Sequence, residues 1–273
     1  MASDIHSSAM VSPKAKLGND NKIGPNVIIE EGVTLGSNNT IMANAYICKG
    51  TTIGDHNEIH MSTVIGHVPQ DVAYKNEASF TTIGNHNIIR EFVSIHRGTK
   101  EGSATEIGDH NFLLGYAHVA HNAKMGNHII MVGRSSLLGY CEVEDYAFIS
   151  GLVGFHQFVR VGKLAMVSAL TAVNKDVPPY MTCGGRPAMI QGMNIVGMRR
   201  AGFKPEIRTE IKKAFKLLYY SGMNVSQAVE EIKKQCPSAE VAQLVNFIES
   251  SKRGICMPPR GKTKESMFSD EVL

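Results

Sequence analysis

Written in blocks of six, residues 15–68 read AKLGND NKIGPN VIIEEG VTLGSN NTIMAN AYICKG TTIGDH NEIHMS TVIGHV, with an apolar residue third in every block. From Ile5 to Val173 every sixth residue gives 29 positions, and 26 of them are Ile, Leu, Val, Met or Phe. At a hydrophobic content of 43%, chance would supply about 12. The exceptions are Asp71, Glu77 and Glu101, and the phase resumes after each. A period of six does not match the 3.6 of an amphipathic helix. It is the mark of a left-handed parallel β-helix of triangular section, with three short strands and about 18 residues per coil. Glycine often follows the apolar position, as at Gly18, Gly36, Gly54 and Gly84, and is expected there to supply unusual φ angles at tight corners.

Outward from the repeat, the expected organisation is a hexapeptide β-helix over residues 1–174 with two loop excursions, 67–82 and 97–106. A connector follows over 175–194, where NKDVPPYMTCGGRPAMIQGMN is rich in Pro and Gly. A small α-helical domain is expected over 195–256. In it Ile207, Ile211, Phe215 and Leu218 stand at helical spacing, with Pro205 near the start and Gly222 at the end. Residues 257–273 read as a polar tail.

Composition narrows the function classes. A net charge of +3, with no interleaving of basic and aromatic residues, gives no ground for a nucleic-acid partner. Five cysteines without a CxxC pair point to a reducing compartment, the cytoplasm, and to no metal ribbon. MASDIHSSAMV lacks a basic stretch followed by an apolar run, and no segment approaches the roughly 18 apolar residues of a membrane span. No integral membrane association is expected.

Residues 18 apart stack in a coil of that length, about 5 Å from one another. In YAHVAHNAKMG, residues 116–126, His121 therefore lies under Gly139 and Gln157, while His118 lies under Ser136 and Gly154. The adjacent column holds Asn122, Tyr140 and Phe158. A possible base, a residue without a side chain beside a backbone N–H, and an amide stand in line, which is a plausible catalytic arrangement. The plainer reading is a solvated or hydrogen-bonded corner histidine.

The hexads together with IGHVPQDVAY (65–74), REFVSIHRGT (90–99), AHVAHN (117–122), GFHQF (154–158), DVPPY (176–180) and NIVGMRRAGF (194–203) resemble the acyl-carrier-protein:UDP-N-acetylglucosamine O-acyltransferases, which begin lipid A synthesis. That resemblance implies transfer of an (R)-3-hydroxyacyl chain from acyl carrier protein to the sugar 3-position, in a cytoplasmic homotrimer with sites between adjacent β-helices. It implies no cofactor beyond the phosphopantetheine carried by the donor, and no metal. By position, His121 matches the family's general base, Gly139 its oxyanion-hole glycine and Gln157 a substrate-binding glutamine. His118 matches a supporting histidine, and Asp71 an aspartate that holds the acceptor sugar. His156, Asn194 and Arg200 match nucleotide-sugar contacts, and Ala169 the position that limits acyl length. Arg208, Lys212, Lys213 and Lys216 form a basic stripe suited to an acidic carrier protein. The chain departs from the family pattern at Ala73, Asn122, Tyr140 and Ala201, which keeps a 3-amino acceptor and amide formation open. A γ-carbonic-anhydrase-like zinc enzyme, the later N-acyltransferase of the same pathway and a non-catalytic scaffold are the competing readings.

Overall fold

The computed structural model describes residues 2–259. Short parallel strands wind as a left-handed β-helix whose three faces, among the described residues, hold eleven, nine and eight strands. The first face begins with Asp4–Ile5, Lys22–Ile23 and Thr40–Ile41; the second with Met10–Val11, Ile28–Ile29 and Tyr46–Ile47; the third with Lys16–Leu17, Thr34–Leu35 and Thr51–Ile53. Each hexad thus provides one strand. Its aliphatic residue points inward, and Ile29, Ile47, Ile65 and Ile95 stack with 1% exposure or less.

Register fixes the coil length. Ile23 pairs with Ile41, a step of 18 in the numbering, whereas the pairing of Val64 with Ser94 is a step of 30 and that of Ser94 with His118 a step of 24. The two lengthened coils thus exceed a regular one by 12 and by 6, in excursions between His67 and Phe80 and between His96 and Ala104. Asp71, Glu77 and Glu101 all lie in these excursions, and the phase survives because both insertions are whole multiples of six.

Of the glycines behind the aliphatic residues, Gly66 takes the expected positive φ, at 78°, but Gly18, Gly36, Gly54 and Gly84 do not. Positive φ falls three residues past the aliphatic and on other residue types, as at Asp20, Asn38, His56, Asn122 and Leu152. A Cβ on Gly18 would instead stand 2.7 Å from the Gly36 carbonyl oxygen, and one on Gly36 2.7 Å from that of Gly54. Close stacking of coils, not dihedral freedom, demands glycine there.

One inner corner is lined by a ladder of buried asparagines, Asn21, Asn39, Asn57, Asn87 and Asn111. Each Oδ1 accepts the backbone N–H of the ladder residue above, at 2.8–2.9 Å, up to Asn111. Asn111 passes the bond on to the Ile129 N–H at 2.8 Å.

The connector is more regular than its composition implies. Met181–Gly184 and Met189–Met193 form an antiparallel hairpin that continues the first face. Met181, Cys183 and Ile190 are fully buried, and Gly185 at φ 100° with the cis Arg186–Pro187 bond forms the turn. Four helices follow: α1 (Ile195–Arg200), α2 (Pro205–Tyr220), α3 (Val225–Gln235) and α4 (Ala239–Glu249). Pro205 opens α2, Asn224 caps α3 in a capping box with Gln227, and the Ser238 hydroxyl caps α4. Helix α2 buries Ile211, Ala214, Phe215 and Leu218. The bundle seats on the end of the β-helix through the buried Tyr180, whose hydroxyl donates to Gln243 Oε1 at 2.9 Å, and through Arg160, which lies 4.2 Å over the Phe247 ring. Of the expected tail, residues 260–273 lie outside the described residues.

Candidate active site

His118 ends a coil on the second face in the strand His118–Val119, and the chain then turns through His121 and Asn122 toward the third face. The column found by counting is present. Ser136 pairs with His118 and with Gly154, the Tyr140 N–H donates to the His121 carbonyl, and the Phe158 N–H donates to that of Gly139. His121 is 4% exposed. Its ring lies so close over the next coil that a Cβ on Gly139 would stand 2.6 Å from Nε2. Any side chain at 139 would displace the imidazole. The Gly139 N–H donates to no acceptor among the described residues, which leaves it free for a ligand oxygen.

Two contacts define the His121 ring. Nδ1 lies 3.1 Å from Asn122 Oδ1, and Nε2 lies 3.8 Å from Asp71 Oδ2. The first excursion brings Asp71 to this position, and the Ala73 N–H holds its other oxygen at 2.9 Å. Asn122 is 7% exposed, sits at φ 59° and also accepts from the Thr99 N–H and hydroxyl. It is both a corner residue and a partner of His121. His118 does not bond to His121; its Nδ1 lies 2.8 Å from Ser94 Oγ, and its ring meets the edge of His96 at 5.1 Å. Burial, and secondarily the neighbouring His121, hold His118 below the ordinary histidine range. His96 is 5% exposed, its Nδ1 lacks a partner among the described residues, and burial with the adjacent imidazoles lowers it to about 4. His96, His67 and Gln70 line a groove of about 630 Å³ on the second face.

His156 and Gln157 are exposed one coil beyond Gly139. The remaining expected site residues lie elsewhere. A second cavity of about 500 Å³ is bounded by Met166 and Thr182 of the first face and by α1 and α2, and it is lined by Asn194, Arg199, Arg208 and Lys212. Among the described residues its lining carries no carboxylate. Asn194 spends its side chain on structure: Oδ1 caps α1 at Gly197 N and Nδ2 donates to the Leu164 carbonyl. Arg199 lines the cavity while Arg200 does not; alternation along a six-residue helix could have raised either. Lys213 turns toward α3 and donates to the Gln235 carbonyl at 3.4 Å, so the basic residues of α2 do not form one stripe. Ala169 is exposed at the turn between the first and second faces, apart from both cavities. Sequence reasoning missed Thr99 and Arg199. No group of three or more His, Cys, Asp or Glu side chains among the described residues of one chain is placed to hold a metal ion.

Comparison with known proteins places the repeat and the helices in one family. Residues 176–256 match the family signature described as UDP N-acetylglucosamine O-acyltransferase, domain 2, and residues 14–47 and 32–67 match the bacterial transferase hexapeptide repeat. The acyl-[acyl-carrier-protein]–UDP-N-acetylglucosamine O-acyltransferase of Thermodesulfovibrio yellowstonii is 42% identical over 93% of this chain and 99% of its own length. The crystal structure of a UDP-N-acetylglucosamine acyltransferase from Bacteroides fragilis is 41% identical, with a TM-score of 0.89 over 92% of this chain and 99% of that one. The Francisella novicida enzyme, 36% identical, has a TM-score of 0.91 over 94% of this chain and 95% of its own. With its repeat and its capping helices matched at this level over nearly its whole length, the chain belongs to the acyl-[acyl-carrier-protein]–UDP-N-acetylglucosamine O-acyltransferase family.

Proposed function

We propose that His121 is the general base of an acyltransferase that moves a 3-hydroxyacyl chain from acyl carrier protein to the 3-position of UDP-N-acetylglucosamine, the first step of lipid A biosynthesis. The observation that carries the assignment is the buried imidazole, held at Nδ1 by Asn122 and lying against a glycine whose N–H is free. Nε2 takes the proton of the sugar hydroxyl as its oxygen attacks the thioester carbon. The Gly139 N–H receives the developing oxyanion, and the imidazolium returns its proton to the departing phosphopantetheine thiolate. A thioester is already activated, so no protein nucleophile is required. Asp71 faces Nε2 and supports the sugar and the transient imidazolium.

Arg199 and Arg208, with Lys212 beside them, bring cationic side chains to this cavity, which suits the diphosphate of the nucleotide sugar. That cavity borders the first face, whereas His121 sits on the edge between the second and third. Two half-sites on different sides of one prism meet readily only across neighbouring subunits, which supports a homotrimer. The edge between the first and second faces carries Phe92, Tyr116, Leu152 and Leu170, each 47–53% exposed, as an apolar ridge for such packing. Lys213 and Lys216 are the candidates for carrier-protein docking, and Ala169, exposed on the edge between the first and second faces, is the candidate for limiting acyl length across the subunit boundary. Five buried free cysteines fit a reducing cytoplasm, and no helix among the described residues is long and apolar enough to cross a membrane.

The direct test is transfer from a panel of 3-hydroxyacyl carriers to UDP-sugars bearing a 3-hydroxyl or a 3-amino group, with products identified by mass. His121→Ala is expected to lower the rate by about 10²-fold or more while UDP-sugar binding persists. Full activity in that variant would remove His121 from the mechanism, and a product formed only from the amino sugar would reassign the acceptor.

A further inference from the structure

We infer that Thr99 and Tyr140 are positioning residues that clamp the Asn122 amide, so that His121 keeps its proton on Nδ1 and presents an unprotonated Nε2. The catalytic significance of this clamp rests on the reading of His121 as the base; the clamp itself follows from hydrogen-bond accounting.

The Thr99 backbone N–H can only donate, so the Asn122 side-chain atom 3.0 Å from it is the amide oxygen and not the nitrogen. The Thr99 hydroxyl donates to the same oxygen at 2.9 Å. With its hydrogen committed there, Thr99 Oγ1 is left to accept, and the Tyr140 hydroxyl 3.1 Å away is the donor. An amide oxygen has no proton to give. The His121 Nδ1 that lies 3.1 Å from it must therefore carry one, and the ring's other nitrogen is left with its lone pair. Three donors thus converge on one neutral oxygen, and a fourth group holds the hydroxyl among them.

The clamp draws on three separate pieces of chain. Thr99 comes from the second excursion, Asn122 from the corner after His121, and Tyr140 from the same corner one coil on. The Asn122 N–H donates to Thr105 Oγ1 at 2.8 Å, so the backbone of the pair is pinned as well. Tyr140 also meets the His121 ring edge to face, with centroids 5.5 Å apart. Loss of the Thr99 hydroxyl leaves the Thr99 N–H as the one Thr99 donor on the amide oxygen, which weakens the bias against a half-turn of the amide that would offer its NH₂ to Nδ1. That exchange would move the imidazole proton to Nε2, where it blocks abstraction of the substrate proton.

The test pairs kinetics with a reading of the resting protein. In nitrogen-15 spectra of the full chain, His121 is expected as a single tautomer with the proton on Nδ1. Thr99→Val, which keeps the backbone N–H and removes the hydroxyl, is expected to bring up a detectable second tautomer and to lower kcat by about twofold to fivefold, with KM for the UDP-sugar within about twofold. Thr99→Ser keeps the hydroxyl and should restore both readouts, and Tyr140→Phe should produce an intermediate loss. A valine variant with parental kcat and an unmixed tautomer would overturn the inference, as would a parent protein already mixed. Should Thr99→Val fail to fold, Tyr140→Phe against Thr99→Ser decides the matter, and no difference between them would count against the clamp. The tautomer is read without substrate. A fixed Nδ1 proton beside a fully active His121→Ala would therefore retire the general-base reading while leaving the clamp in place.

Discussion

Asn122 stands where three hydrogen-bond donors meet, a setting equally able to hold a carboxylate. An anion at that point would accept the same bonds with charge assistance and would favour the protonated imidazole. The other titratable groups near the ring are Asp71, His118, Tyr140 and, behind His118, His96. Asn122→Asp leaves each of these in place, so half-maximal kcat/KM is expected to move to higher pH, by about one unit; a pH–rate profile measures it, and an unmoved profile would detach Asn122 from His121. The pairing of His121, Asn122, Gly139 and Gln157 was legible because neighbours and whole coils are countable. Thr99 was not, since it reaches Asn122 from within an excursion, where counting by regular coils does not apply. Arg199 escaped for another reason: the family match fell on its neighbour, and only the orientation of α1 separates the two.

The asparagine ladder is the element that most depends on each of its members. Asn57, 1% exposed, accepts from the Asn87 N–H and Nδ2 and donates to Asn39 Oδ1 and the Gly84 carbonyl. Asn57→Leu would leave several buried groups unpaired, with a loss of about 3 kcal/mol expected in denaturant unfolding. A change below about 1 kcal/mol would mean that water replaces the amide. The ladder had a sequence trace, because these asparagines open one hexad in each coil, but residue type alone does not say whether an amide faces inward. The hairpin of residues 181–193 left a similar trace in its Gly-Gly and Arg-Pro punctuation. Its alternation of Met181 and Cys183 with polar neighbours is too short to distinguish a strand from a connector without the sheet end that receives it. The helices were plainer, since Pro205, Asn224 and Ser238 mark their starts in ways local chemistry fixes.

For the whole molecule, the long-range order of the β-helix was legible because every coil repeats one contact distance, while the separation of the His121 corner from the cavity beside α1 and α2 was not, since a linear count does not place the helices against the prism. In the proposed homotrimer, Leu152→Glu places a charge on the packing ridge, and sedimentation is expected to show a monomer, with activity falling in step. A trimer that persists would place the interface elsewhere. Acid should also weaken the fold. His96 is neutral when folded, with its value lowered to about 4, so the unfolded chain binds more protons between about pH 6.5 and 4. Stability is complete above that window and falls as pH drops through it, and His118 acts in the same direction. The midpoint of thermal unfolding should decline from pH 7 to 4.5, and less steeply in His96→Gln. The excursions have a further consequence, for tolerance of length. Within a regular coil, deleting one residue is a frameshift in three dimensions: every later side chain moves round the prism, and the catalytic column no longer stacks. Between His67 and Phe80, or between His96 and Ala104, the chain leaves the winding and returns to it, so slack there is absorbed before it reaches the next face. A change of length in these two detours leaves the winding intact, provided Asp71 and Thr99 still reach the His121 corner.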